Sequence, residues 1–249
     1  MAPLRNVIFP AALILSALFL LLTLRHSAMT RTEPKPRFVF VDLGANRADS
    51  MEAFLKISNS KFQFDYPRPA WAKHEDAEIF LFEANPVFNT DLVKAKDKYT
   101  ARGIKVNIFP STVVDVQDGI RTFFLDTVNK DHDFWGSSIY AEHWDAVASG
   151  LKGTNLTSIN LAGWLLRNFL PRDYVVIKMD IEGAEYEVVP HLAEMGAGIV
   201  VDQLLVEWHP SIMVGDEEQQ KIRELKRQIS TRKLMEEGVL MPAYDTPMA

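Results

Sequence analysis

Residues 38–46 read FVFVDLGAN: an apolar run from Phe38 to Val41 that passes through Asp42 and breaks at Gly44. A short continuous apolar run closed by a glycine turn is the signature of a buried strand. The stretch Ser50 to Ile57 that follows has helical spacing. Strand, glycine turn and helix together form the opening unit of a nucleotide-binding α/β sheet.

Working outward, the same grammar recurs. Glu78 to Phe82 is a second apolar strand ending in Glu83, and Asn85-Pro86 then suits the start of a helix reaching about Lys98. Val106 to Phe109 is a third strand, and Gly119 to Leu125 alternates after the Asp118-Gly119 turn, as an outer strand or hairpin would. Leu161 to Phe169 is helical and stops before Pro171; Tyr174 to Met179, YVVIKM, is the clearest buried strand and ends in Asp180. A helix is expected from about Glu182, with Pro190 kinking or ending it early. Gln203 to Val206 is a strand ending in Glu207, Glu217 to Met235 an amphipathic helix, and Val239 to Tyr244 a candidate last strand. Strands alternating with helices predict a mostly parallel, doubly wound sheet with helices on both faces.

Composition narrows the function. The 249 residues carry a net charge of −6 and include no cysteine, which excludes disulfides, cysteine-ligated zinc and thiol catalysis. Without a basic stripe, no nucleic-acid partner is expected. Val7 to Leu24 is an uncharged apolar run between Arg5 and Arg25-His26, long enough for one membrane-spanning helix. His26 spoils the small-residue cleavage site of a signal peptide, so an uncleaved signal anchor is expected. TEPKPR at 32–37 reads as a stiff linker, giving an anchor and linker over 1–37 and a domain over 38–249. Arg25, Arg31, Lys35 and Arg37 favour a cytosolic domain by the positive-inside rule, a tendency that signal anchors of lumenal enzymes often break. The triplet Asn155-Leu156-Thr157 is a glycosylation acceptor if the domain is lumenal.

Ligands of doubly wound sheets bind beyond the carboxyl ends of the strands, where this chain places Asp42, Glu83, Asp180 and Glu207. Gly44 permits close backbone approach, and Glu83 is placed to accept hydrogen bonds from ribose hydroxyls. The cofactor is therefore a nucleoside. GANRAD lacks the further glycines that bring backbone against a pyrophosphate, so a cofactor without one fits better than NAD.

From about Phe38 to His209 the chain resembles the FkbM-type methyltransferases. The resemblance is carried by VDLGANRADS (41–50), FEANP (82–86), VVDVQDGIRTFFLD (113–126), GSS (136–138), IKMDIEGAEYEVV (177–189) and VEWH (206–209). It implies a Rossmann-like class I methyltransferase sheet, S-adenosylmethionine as cofactor, and transfer to a hydroxyl of a glycan, glycoconjugate or natural product. By the same resemblance Asp42, Gly44 and Asn46 line the methionine portion, Glu83 holds the ribose and Asp115 approaches the adenine. Asp180, Glu182, Glu207 and His209 face the acceptor and include its general base. An NAD-dependent oxidoreductase and a membrane-tethered pseudoenzyme are the alternatives.

Three features depart from the family pattern: Ala48 stands where glycine is common, Pro190 lies within a helix, and residues 61–76 form an aromatic, proline-rich insertion. Glu185 and Glu187 read as solvated helix surface, Ser137-Ser138 as an ordinary turn, and Trp135, Trp144 and Trp164 as packing. No metal is expected, magnesium on Asp180, Glu207 and His209 being the conceivable exception. Acceptor specificity is expected in the loops 60–76 and 129–155.

Overall fold

Strands β1 (Phe38–Leu43), β2 (Glu78–Glu83), β3 (Lys105–Pro110), β7 (Tyr174–Met179) and β8 (Gln203–Val206) form a parallel sheet in the order β3-β2-β1-β7-β8. The structure is a computed structural model describing residues 34–57, 67–132, 134–212 and 214–244. The apolar run at residues 7–24 lies outside the described residues, among which no helix is long and apolar enough to cross a membrane.

The strands are largely apolar on both sides because both faces of the sheet are covered. Val39, Val41, Leu43, Ile177 and Met179 point to one face, under α4 (Leu161–Asn168), α5 (Glu185–Glu194) and Leu234 of α6 (Glu217–Glu236). Phe38, Phe40, Ile79, Leu81 and Val176 point to the other, under α1 (Asp49–Phe54) and α2 (Asn89–Thr100). The chain winds outward from β1 to β3, then returns to lay β7 against the free side of β1. The order therefore reverses between β1 and β7, which opens a crevice at their carboxyl ends.

A second sheet, in the order β4-β6-β5, was not legible beforehand. It joins β4 (Thr112–Asp115), β5 (Gly119–Phe124) and β6 (Gly153–Asn160), with β5 antiparallel to β6 as the hairpin reading of 119–125 allowed. A short helix, α3 (Trp144–Ala148), precedes β6.

Several expectations need correction. Pro190 does not end α5, which continues to Glu194. Val188, Val189, Leu192 and Ala193 are all buried in the core, and this packing outweighs the hydrogen bond that proline forfeits. The same helix begins at Glu185 rather than Glu182, because residues 180–184 form a loop. Among the described residues Val239–Tyr244 makes only one bridge, Leu240 to Gln203. Residues 67–76 pack at the start of the strands, where the Pro67 carbonyl accepts from Tyr174 and Gln203, so they lie away from the crevice. The rest of the insertion's neighbourhood, 58–66, is outside the described residues.

Candidate active site

A cavity of about 520 Å³ lies at the carboxyl ends of the strands, within the size range of ligand sites. Gly44, Asn46, Glu83, Asp180, Glu182 and Glu207 line it, with Phe82, Phe88, Val113, Val114 and Ile139 on its apolar walls.

The glycine turn is built by close approach. Gly44 has φ +79°, and a Cβ there would lie 1.8 Å from the Asp180 carbonyl oxygen across the β1–β7 crevice. Asn46 and Ala48 also take left-handed conformations, with φ of +46° and +68°. The position where glycine is common in the resembling family is thus one that a glycine would occupy without strain. The Gly44 and Ala45 amides donate to the Phe82 carbonyl at 3.0 and 2.9 Å, which fastens the loop to β2.

Glu83 is buried, and its two carboxylate oxygens are held by different backbone amides. Asn46 N–H donates to Oε2 at 2.8 Å and Asn85 N–H to Oε1 at 2.6 Å. A carboxylate has about four acceptor sites, so each oxygen keeps one for a ligand. Burial raises the Glu83 carboxyl above its ordinary range, with these two amides pulling it back. Asn85 also donates through Nδ2 to Ser137 Oγ at 3.0 Å, so Ser137 is part of a buried network and not an ordinary turn.

Asp42 does not line the cavity. It is fully buried beside Lys178, its direct register partner on β7, at 3.3 Å. Burial pushes its carboxyl up to about 7, with the lysine opposing. Burial lowers the Lys178 ammonium and Asp42 and Asp180 raise it, the net effect being upward. Lys178 Nζ donates to the Gly44 carbonyl at 2.7 Å and lies 3.5 Å from Asp180, tying the turn to both strands. Asp115 is likewise off the cavity: Val116 N–H donates to it at 2.7 Å, and Arg121 lies 3.7 Å away.

The segment D-I-E-G-A-E, 180–185, is a clamped loop. Glu185 is fully buried rather than solvated. Its carboxylate turns back to accept from Ile181 N–H at 2.7 Å and Gly183 N–H at 2.9 Å. Gly183, at φ +99°, fits tightly against Tyr140 and Ile212, while Glu182 stands in the left-handed region at φ +51°. A glutamate held there is strained, as residues at functional sites often are. Ser138 Oγ donates to the Glu182 carbonyl at 2.7 Å and so also leaves the class of simple turns. Glu187, the other expected surface acid, accepts from Tyr140 Oη at 2.6 Å and lies 3.8 and 3.7 Å from Arg121 and Arg223.

His209 is surrounded by acids. Nδ1 lies 3.2 Å from Glu185, and Nε2 lies 3.8 Å from Asp180, 3.7 Å from Glu182 and 3.8 Å from Glu207. Burial alone lowers its pKa, but these carboxylates dominate and raise it to about 9. That direction favours the imidazolium form, which disfavours the ring as a proton acceptor and leaves the carboxylates as the candidate bases. Asp180, Glu182 and His209 each bring one ligand-capable atom within 4.8 Å of the others, a grouping that omits Glu207.

This arrangement predicts a pH dependence. The folded chain holds the His209 proton more tightly than the unfolded chain, whose imidazole titrates near 6.5. The pairing contributes fully below that pH and is lost as pH rises through about 9. Unfolding free energies from urea titrations should decline from pH 7 to 9, and His209→Gln should flatten that decline. An equal slope in both proteins would refute the assignment.

Sequence reading missed Lys178 and Glu185. A lysine inside YVVIKM, facing an acid on a neighbouring strand, was a usable signal. Trp164 packs at 8% exposure, whereas Trp135 and Trp144 are 58% and 64% exposed, and Trp135 lines the cavity with Phe134. The loop beginning at 129 thus reaches the cavity.

No curated protein and no solved structure matches the chain. The family model of the Methyltransferase FkbM domain matches residues 42–229, which include the glycine turn, Glu83, the clamped loop and His209. With that match over most of its length, the chain belongs to the FkbM methyltransferase family.

Proposed function

We propose that the protein transfers the methyl group of S-adenosylmethionine to a hydroxyl oxygen of a glycan, glycoconjugate or natural product. The observation that carries this reading is Glu83, whose doubly clamped carboxylate keeps an acceptor site on each oxygen for a pair of ribose hydroxyls. The Gly44–Asn46 turn would hold the methionine portion, and Phe88 and Val114 offer apolar surface to the adenine. Asp180, Glu182 and Glu207 line the same cavity, and their carboxylates suit a cationic cofactor. Bound there, S-adenosylmethionine would supply an electrophilic methyl whose bond to sulfur breaks, the electron pair remaining on sulfur, as the acceptor oxygen bonds to carbon. The chain's own tasks are to align that oxygen and to take its proton on a carboxylate. The test is calorimetric titration of the full-length chain: micromolar binding of S-adenosylmethionine and none of NADH is expected. Binding of NADH alone would support the oxidoreductase reading instead.

We place the enzyme in the secretory membrane system, held through residues 7–24 with its domain in the lumen. Asn155 and Thr157 share the exposed face of β6, with Leu156 buried between them, so the triplet is accessible. Expressed in a glycosylating cell, the chain should lose mass on glycosidase treatment, and Asn155→Gln should abolish that loss. A domain open to protease on sealed microsomes would overturn this orientation.

A further inference from the structure

Glu182 lines the cavity on a constrained backbone. Its backbone is left-handed, its carbonyl is held by Ser138, and its carboxylate oxygen Oε2 lies between two imidazoles, 3.7 Å from His209 Nε2 and 3.6 Å from His143 Nε2. His143 comes from the segment before α3 and is buried, with 3% exposure. Its Nδ1 accepts the backbone N–H of Asp145 at 3.1 Å. With Nδ1 occupied as an acceptor, the proton of the neutral ring resides on Nε2, the nitrogen that faces Glu182.

We infer that His143 is a positioning residue that aims the Glu182 carboxylate at the acceptor, making Glu182 the group that receives the hydroxyl proton. This rests on the hydroxyl-acceptor reading. In the step, the acceptor O–H bond breaks, its electron pair stays on oxygen for attack on the methyl carbon, and the proton passes to a Glu182 oxygen. The two imidazoles hold that carboxylate from the protein side and leave its remaining lone pairs to the cavity. The separation of 3.6 Å is longer than a hydrogen bond, and such contacts commonly tighten when a site is filled.

A purely structural account is available, since His143 caps α3. Two substitutions separate the roles. In His143→Asn the amide oxygen can still cap Asp145 but its nitrogen does not reach Glu182, whereas His143→Gln places a neutral donor near the original Nε2. The full-length proteins are assayed with methyl-tritiated S-adenosylmethionine and a pool of methyl glycosides and oligosaccharides as acceptor probes. His143→Asn should lower kcat about tenfold, less than loss of the base itself would. The KM for S-adenosylmethionine should stay within about twofold, and His143→Gln should recover most of the rate. An unchanged kcat in a folded His143→Asn protein would overturn the inference. Independently of activity and of any variant, nitrogen-15 spectra of the histidine-labelled wild type should show His143 as the Nε2–H tautomer; an Nδ1–H tautomer would overturn it. If wild type binds S-adenosylmethionine yet methylates no member of the pool, the reading of the acceptor fails and with it the proton-acceptor role of Glu182.

Discussion

Glu185→Ala should lower the unfolding free energy by about 3–5 kcal/mol, the scale set by removing one partner of a buried ion pair. The loss has three sources. The Ile181 and Gly183 amides lose their acceptor, at about 1–3 kcal/mol for each buried donor left unpaired. His209 loses its nearest counter-charge, at 3.2 Å. The third is the cavity left where a fully buried side chain is truncated. Function should suffer more than stability, because the same clamp fixes the left-handed Glu182 and the position of His209. In Glu185→Gln the carboxamide oxygen can still accept one amide while its NH2 group opposes the other, so an intermediate loss is expected. Urea unfolding of the full-length proteins, followed by circular dichroism, measures both. A Glu185→Ala midpoint equal to wild type would mean that residues 181–183 are held by something other than this carboxylate.

The second large effect concerns the cofactor. Glu83→Ala should weaken S-adenosylmethionine binding by about a hundredfold or more. Hydrogen bonds to a charged acceptor contribute about 1.5–3 kcal/mol each, and two of them amount to at least two decades of affinity at about 1.4 kcal/mol per decade. The substitution also releases the Asn46 and Asn85 amides, so the glycine turn loses its tie to β2 beyond the Phe82 carbonyl. Glu83→Gln can replace one acceptor oxygen and should fall between. Calorimetric titration, with melting curves to establish folding, gives the comparison. Wild-type affinity in Glu83→Ala would remove Glu83 from the ribose and with it the observation on which the cofactor assignment stands.

Residues that met such expectations and residues that failed them differ in how far along the chain their partners lie. β1, β2, β7 and β8 were legible because a strand covered on both faces is a nearly continuous apolar run, a property contained in four to six consecutive residues. β6, GTNLTSIN, was not: one face is solvated, its polar residues look like a loop, and its pairing depends on β4 and β5. Glu185 sits at a helix start, where acids ordinarily face water, and periodicity could not reveal that the preceding loop folds back under it. Asp42, read at a strand end, and Asp115, assigned toward the adenine by resemblance alone, have side chains that turn toward Lys178 and Arg121 rather than the cavity.

The sequence by itself determined the alternation of strands and helices, the acids that close the strands, the glycine turn and the family. Each is written in local periodicity or in a contiguous motif. Only the tertiary structure decided which acids line the cavity, that carboxylates surround His209, and that His143 stands beside Glu182. Charge state and orientation follow from desolvation and from contacts within about 4 Å, and in this chain those contacts join residues as distant as Gly44 and Lys178, which no local pattern records.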